Sequence, residues 1–286
     1  MKEIVVISGK GGTGKTSIVA GLAQFGPDKV LADCDVDAAD LHLVLHPEIR
    51  ETHEFWNGEE ARIDPDLCTA CGLCHEHCRF GAIEPGDPYR VKADHCEGCG
   101  VCAFVCPSGA AAMNLRMCGH WYRSDTRFGP MIHAALGIGQ ENSGKLVTTV
   151  RKAAHDLAED KGLEMVLVDG SPGIGCPVIA SLTNASAAVI VAEPTVSAFH
   201  DMRRVHELTA HFKIPAMAVL NKSDINPTMT GDMADFCEKT GIAVVGRIPY
   251  DLKFTQAQVR GLTAGEYDSG LEALLGDIWQ NILHRV

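Results

Sequence analysis

Gly9-Lys10-Gly11-Gly12-Thr13-Gly14-Lys15-Thr16 sets two lysines and a hydroxyl in one glycine-rich loop, with Ser17 next. The spacing is G-x-x-x-x-G-K-S/T. Backbone N–H groups in such a loop can close around phosphate oxygens, and the start of a following helix adds partial positive charge. Lys15 is placed to reach β- and γ-phosphates, and the Thr16 hydroxyl to bind Mg2+. Lys10 is a second cation in the same loop. Asp33 and Asp35 close the apolar run from Val30, and Asp169 closes the run from Met165. Carboxylates at such ends can hold Mg2+ or orient and deprotonate a water. Asn221-Lys222-Ser223-Asp224 is an N-K-x-D form, in which the Asp224 carboxylate can take two guanine N–H groups.

The chain carries twelve cysteines. Two quartets hold eight of them: Cys68, Cys71, Cys74 and Cys78, then Cys96, Cys99, Cys102 and Cys106. The quartets repeat one another, because Ala70-Cys71-Gly72-Leu73-Cys74 matches Gly98-Cys99-Gly100-Val101-Cys102. In a reducing compartment this density points to metal rather than disulfides. Zinc would use two pairs rather than two quartets. The stretch resembles a bacterial-type ferredoxin with two 4Fe–4S clusters. The resemblance implies that three thiolates of a quartet cap one cluster and the fourth cysteine crosses to the other. Cys68, Cys71, Cys74 and Cys106 would hold one cluster, and Cys78, Cys96, Cys99 and Cys102 the other. Arg79 departs from the family's usual proline after the fourth cysteine, which puts the shape of that turn in doubt.

The elements that must position these groups are legible in outline. Ile4-Val5-Val6-Ile7 is a strand before the glycine-rich loop, and Ser17 to Ala23 a helix after it. Ala38 to Leu45 reads as a short helix. His46 to Arg62 is polar and irregular and reads as a linker into an insert. Leu115 to Gly144 gives no clean period and is expected to return the chain to the core; lone His120 and His133 there read as surface or packed residues. Leu146 to Ala158 is helical. Further strands are expected from Ala188, from Pro215 and over Ile242 to Asp251, with helices over Ser197 to Phe212 and Leu271 to Arg285. Strands alternating with helices give an α/β, doubly wound, mostly parallel sheet. The expected organisation is a core over 1–57 and 116–286 with an inserted α+β ferredoxin domain over 58–115.

The chain has 286 residues, 46% hydrophobic and 22% charged, with a net charge of −12. With no basic stripe, nucleic acid is not an expected partner. The first residues open on a strand without a signal peptide, and no apolar run is long enough to span a membrane. The expected location is the cytoplasm, without membrane insertion.

The K-G-G-x-G-K-T loop resembles the deviant Walker A of the MinD/ParA/Mrp/nitrogenase-iron-protein group, a family of P-loop ATPases. That resemblance implies a homodimer in which Lys10 reaches the partner's nucleotide. It places Asp33 and Asp35 in the first switch, with Asp35 on the attacking water and Asp33 near Mg2+. It places Asp169 in the Mg2+ shell, and Gly173 as a sensor of the γ-phosphate. By the same analogy Asn221 contacts adenine, with Lys222, Pro249 and Tyr250 around the base, so ATP is favoured over GTP. Cys176 matches a cysteine that holds a subunit-bridging cluster in the nitrogenase iron protein, and Cys118 is a candidate second ligand. The function implied is a Mg2+-dependent ATPase that couples its switch to electron transfer or metallocluster assembly, with a redox or cluster-acceptor protein as partner. The alternative is a nucleotide-switched positioning or partner-binding protein in the manner of MinD. Amide ligation of the cobyrinic-acid type shares the fold, but no stretch remains for the glutamine-hydrolysing domain it needs.

Overall fold

A computed structural model describes residues 1–137 and 143–286. Part of the stretch read as irregular, 138–142, lies outside the described residues. In chain order the elements are β1 (Lys2–Ser8), α1 (Lys15–Ala23), β2 (Val30–Asp33), α2 (Leu41–Leu45), β3 (Glu48–Ile63), α3 (Leu73–His77), β4 (Ile83–Glu84), β5 (Arg90–Val91), α4 (Val101–Val105), β6 (Ala111–Thr126) and β7 (Gly129–Leu136). There follow α5 (Ser143–Lys161), β8 (Met165–Pro172), α6 (Cys176–Leu182), β9 (Ala187–Ala192), α7 (Val196–His211), β10 (Ala216–Asn221), α8 (Pro227–Thr240), β11 (Ala243–Ile248), α9 (Lys253–Val259), α10 (Ala264–Tyr267) and α11 (Ser269–Leu283).

Among the described residues, one sheet runs β11-β10-β9-β1-β8-β2-β7-β6-β3. β1 lies parallel to β8 and β9, β10 to β9 and β11, and β2 to β8 and β7. The apolar runs of β1, β8 and β9 are continuous because these strands are buried on both faces. Helices cover them. Leu275, Ile278 and Trp279 of α11 pack with Leu22 of α1, Ile4, Val189 and Val245. The Trp279 indole N–H donates to Gly26 O at 2.6 Å, so the largest core side chain leaves no polar atom unpaired. The α/β, mostly parallel P-loop architecture follows the sequence reading.

Two segments differ from it. The expected linker from His46 to Arg62 is largely β3, and the stretch from Leu115 is β6 and β7. β3 is the last strand in the sheet order, and most of its side chains are exposed. A strand with so little buried face prints no apolar alternation on the sequence. β6 mixes buried, half-buried and exposed positions without a regular alternation.

The chain divides into two compact units. One comprises Met1–His53, Trp121–Ala135 and Ser143–Val286; the other comprises Glu54–His120 with the segment that starts at Leu136. In the second unit the cysteine repeat is also a structural repeat. Gly72 and Gly100, at φ 84° and 76°, each turn the chain into a five-residue helix, α3 or α4. That left-handed conformation is open to glycine and costly for a side chain. Each helix ends at a cysteine in extended conformation, Cys78 or Cys106. The small core of this unit joins Cys74, Cys96 and Cys102 to Ala61, Ala82, Ile83 and Ala111.

Candidate functional site

The first site forms where β1, β2 and β8 end, the place where open α/β sheets bind ligands. Parallel register sets Asp33 beside Asp169, and Val6 beside Asp169 on the other flank. The carboxylates of two distant segments therefore meet under the glycine-rich loop. Lys15, buried at the start of α1, forms a close ion pair with Asp169 and sits 3.5 Å from Asp35 Oδ2. The Thr16 hydroxyl lies 3.5 Å from the Lys15 ammonium. Burial pulls the Lys15 pKa down, but the charges of Asp169 and Asp35 outweigh it and hold it above the usual value. Asp35 moves the other way. Burial is the largest cause, Asp169 adds to it, Lys15 only partly offsets it, and the carboxyl is raised to about 6.

Asp33 is fully buried, and burial followed by the charge of Asp169 raises its carboxyl well above the usual range. Its oxygens accept from Asp35 N at 3.1 Å and Leu41 N at 3.3 Å, so Asp33 orders the turn that carries Asp35. Asp169 Oδ2 is buried without a hydrogen-bond partner. An unpartnered carboxylate oxygen beside a hydroxyl, at the floor of a phosphate loop, fits a Mg2+ site, because the ion supplies the missing partner. A cavity of about 820 Å³ lies over these groups, lined by Gly11 to Ser17 with Ser8, Asp35, Asp40, Pro172 and Gln258.

An adjoining cavity of about 560 Å³ is lined by Gly12, Gly14, Asn221, Lys222, Pro249 and Tyr250, with Phe254 and Gln258. Asn221 is buried and donates to Thr13 O at 2.7 Å. Gly14 is required there, since a Cβ would lie 2.4 Å from the Asn221 amide nitrogen. Asp224 does not line the cavity; its Oδ1 accepts from Tyr250 N at 2.6 Å. That bond takes up one lone pair of the carboxylate that guanine recognition would use. Gly173, at φ 95°, donates its N–H to Ser8 O at 2.8 Å. Lys10 points to Glu193 at 2.8 Å, and Lys222 reaches the other Glu193 oxygen at 2.7 Å. Burial raises Glu193, but hydrogen bonds from Lys10 and Lys222 outweigh it and hold the carboxyl below its ordinary value. Glu193, Gln258 and Phe254 escaped the sequence reading. The only local signal was Glu193-Pro194 at the end of an apolar run.

In the second unit a small cavity of about 20 Å³ is lined by Cys78, Cys96, Cys99 and Cys102 within a wall of Phe80, Ile83, Val91, Val101 and Met113. These four are the set that the ferredoxin resemblance assigns to one cluster. Ala61 N donates to Cys96 Sγ at 3.4 Å and Ala111 N to Cys106 Sγ at 3.5 Å. Burial raises the Cys74 thiol, and the neighbouring Cys68 and Cys106 add to the effect. Among the described residues no three His, Cys, Asp or Glu side chains converge as for a single metal ion. A cluster asks for a different arrangement, because its thiolates bind separate irons around a larger body. Cys78, Cys96, Cys99 and Cys102 line one apolar cavity, and among them Cys96 Sγ accepts a backbone N–H. Cys71 and Cys99 are exposed.

The two cysteines expected to bridge a further cluster differ in exposure. Cys118 is buried and its thiol lies 3.0 Å from Asn57 O, which accepts its proton. Cys176 is exposed at the start of α6. Of the two lone histidines, His133 is buried against Ser124, 2.9 Å from its Oγ. Cys237 is buried in α8. No helix among the described residues is long and apolar enough to cross a membrane.

Strand, phosphate loop, buried lysine and paired carboxylates together define a P-loop ATPase of the MinD/ParA type. Residues 4–264 match the CobQ/CobB/MinD/ParA nucleotide binding domain, and the chain belongs to that family. It is 34% identical over 227 residues to the uncharacterized protein MJ0578 of Methanocaldococcus jannaschii, covering 78% of this chain and 79% of that protein. Its fold is similar to MinD in the MinC:MinD complex of Aquifex aeolicus, at TM-score 0.60 and 17% identity over 100% of this chain and 97% of that one. It is also similar to Pyrococcus horikoshii MinD complexed with Mg-ADP, at TM-score 0.58 and 16% identity over 99% and 96% of the two chains.

Proposed function

We propose that this chain is an ATP-hydrolysing switch that closes as a homodimer around nucleotide and passes its state to a partner protein. The observation that carries the reading is the group under the loop: Lys15 between Asp169 and Asp35, with Asp169 Oδ2 unpartnered. Backbone N–H groups of Gly11 to Thr16 cradle the phosphates and Lys15 reaches the β- and γ-oxygens. Thr16 and Asp169 would hold Mg2+, which neutralises developing phosphate charge when bound. Asp35, with its pKa raised toward neutrality, orients the attacking water and takes its proton. Asp33 keeps Asp35 in that position through the turn. Asn221, Lys222, Pro249 and Tyr250 surround adenine. Lys10 leaves its own subunit to meet the nucleotide of the second copy, and the Gly173 N–H exchanges Ser8 O for a γ-phosphate oxygen. The named partner in the Aquifex complex and the Mg-ADP of the Pyrococcus structure support a nucleotide-governed binding role. Lys10→Ala is expected to lower kcat for ATP on the order of 10³-fold, as loss of a cation on the transferring phosphoryl group does elsewhere. Steady-state phosphate release at saturating Mg-ATP measures it. Activity within a few-fold of wild type would remove the trans-lysine role.

A second reading extends the first and has its own observation, the cavity walled by Cys78, Cys96, Cys99 and Cys102. In this reading the unit from Glu54 is a ferredoxin domain with two 4Fe–4S clusters, the second held by Cys68, Cys71, Cys74 and Cys106. Such clusters supply one-electron transfer when bound, and the ATP switch would then gate redox work or cluster delivery to an acceptor protein. Anaerobic purification is expected to yield about eight irons and eight sulfides per chain. Cys99→Ser should lower both to about four while the broad visible absorption persists at reduced strength. Two zinc ions per chain and no sulfide would end this reading and leave the first intact.

A further inference from the structure

Lys10 has three N–H donors, and within one chain each has an acceptor. Glu193 Oε1 lies 2.8 Å from the ammonium, Ser197 Oγ 3.2 Å and Thr195 Oγ1 3.3 Å. Glu193 and Thr195 come from the stretch that joins β9 to α7, and Ser197 from the first turn of α7. α7 itself is pressed against the phosphate loop, since a Cβ on Gly9 would fall 2.3 Å from Asp201 Cβ. Thr195 is also the N-cap of α7, accepting from Ala198 N at 3.2 Å. A cation beside a helix N-terminus is opposed by the helix dipole. Glu193 supplies the charge that keeps it there.

We infer that Glu193 is a positioning residue: it stows Lys10 in its own subunit in the absence of nucleotide and thereby sets the ATP concentration at which the dimer forms. This rests on the switch reading above. The arrangement is built to release. Breaking a buried ion pair is costly chiefly because it strands the remaining charge. Glu193 is not stranded when Lys10 leaves, because Lys222 stays on its other oxygen at 2.7 Å. Lys222 also donates to Gly12 O at 3.1 Å, so the acid remains tied to the loop that will hold the phosphates. Lys10 is the more exposed partner, at 31% against 12% for Glu193, and its way out is open. The two hydroxyls are neutral acceptors and hold an ammonium less firmly than a carboxylate does. The occupant that draws Lys10 away is an ATP phosphate of a second copy of this chain.

The full-length protein and its Glu193→Gln variant are compared by light scattering over an ATP titration, together with steady-state ATPase kinetics. Glutamine keeps the size of Glu193, removes the charge and leaves one acceptor oxygen in place of two. The dimerisation midpoint is expected to fall about five-fold in ATP, with KM following it and kcat within about two-fold, because a competent state freed of its competitor binds with higher apparent affinity. Glu193→Asp, which keeps the charge, should lie between the two. If a melting curve shows that Glu193→Gln does not fold, Ser197→Ala serves instead, with a midpoint lowered about two-fold on the same argument. A midpoint unchanged or raised in the folded variant overturns the inference alone. A wild-type chain that neither hydrolyses ATP nor dimerises with it overturns both the inference and the switch reading beneath it.

Discussion

Asp35→Asn is expected to give a protein that is nearly inactive and more stable than wild type. Loss of the group proposed to orient and deprotonate the water should lower kcat by about 10²–10⁴-fold. The gain in stability has a separate origin. The Asp35 carboxyl is raised from 3.8 to about 6, chiefly by burial and by Asp169, so the folded chain binds more protons than the unfolded chain between those values. Ionised Asp35 therefore costs stability, fully above about pH 6 and not at all below pH 3.8. Asparagine keeps the shape of the neutral acid and avoids that cost, which is on the order of 2–3 kcal/mol at pH 7. Urea unfolding at several pH values measures it, and the advantage of the variant should shrink as pH falls from 6 toward 4. In the wild type the same titration bends kcat/KM downward below about pH 6, because the protonated acid cannot accept a proton. A variant no more stable than wild type at pH 7 would show that Lys15 fully compensates Asp35. Such a trade of stability for a working site is common in enzymes.

Lys15→Ala has the opposite sign. Lys15 and Asp169 are both buried, and Asp33 and Asp35 lie in the same pocket. Removing the cation leaves three carboxyls without a countercharge. The expected loss is about 3–5 kcal/mol, the usual result of orphaning a buried charge. For a chain of this size that lowers the melting temperature by about 10 °C. Nucleotide binding should be lost as well. The deficit should shrink at low pH, where a proton on one carboxyl takes the place of the ammonium. Lys15→Ala combined with Asp169→Asn should regain most of the stability and none of the binding. Thermal melting and a fluorescent-nucleotide titration separate the two effects. If the double variant is as unstable as the single one, the cost comes from lost packing of the lysine stem rather than from the orphaned carboxylate.

The two variants respond differently because the site balances one strong cation against three acids. None of that balance can be counted along the chain, where Lys15 and Asp169 stand 154 residues apart. The contiguous parts were legible. The glycine-rich loop, the flanking strand and helix, and the acid at each strand end occupy short windows in which residue type and spacing carry the chemistry. The cysteine quartets were legible as a repeat for the same reason, and the fold repeats with them, since Gly72 and Gly100 each turn the chain into a five-residue helix. β3 was not, because an exposed strand carries no alternating apolar face. Glu193 was not, because its role depends on β9 lying beside β1. The burial of Cys118 against the carbonyl of Asn57 was not legible either.

By itself the sequence determined that the chain can address phosphates, through Gly11 to Lys15. It did so because phosphates are met by backbone and side chains from a single turn. The tertiary structure decided how charge is distributed around them. Parallel register put Asp33 against Asp169, burial raised Asp35 toward neutrality, and the β9–α7 connection gave Lys10 a place to wait. Those outcomes belong to the fold because electrostatic energy depends on distance and solvent exposure, and both are set only when distant segments pack together.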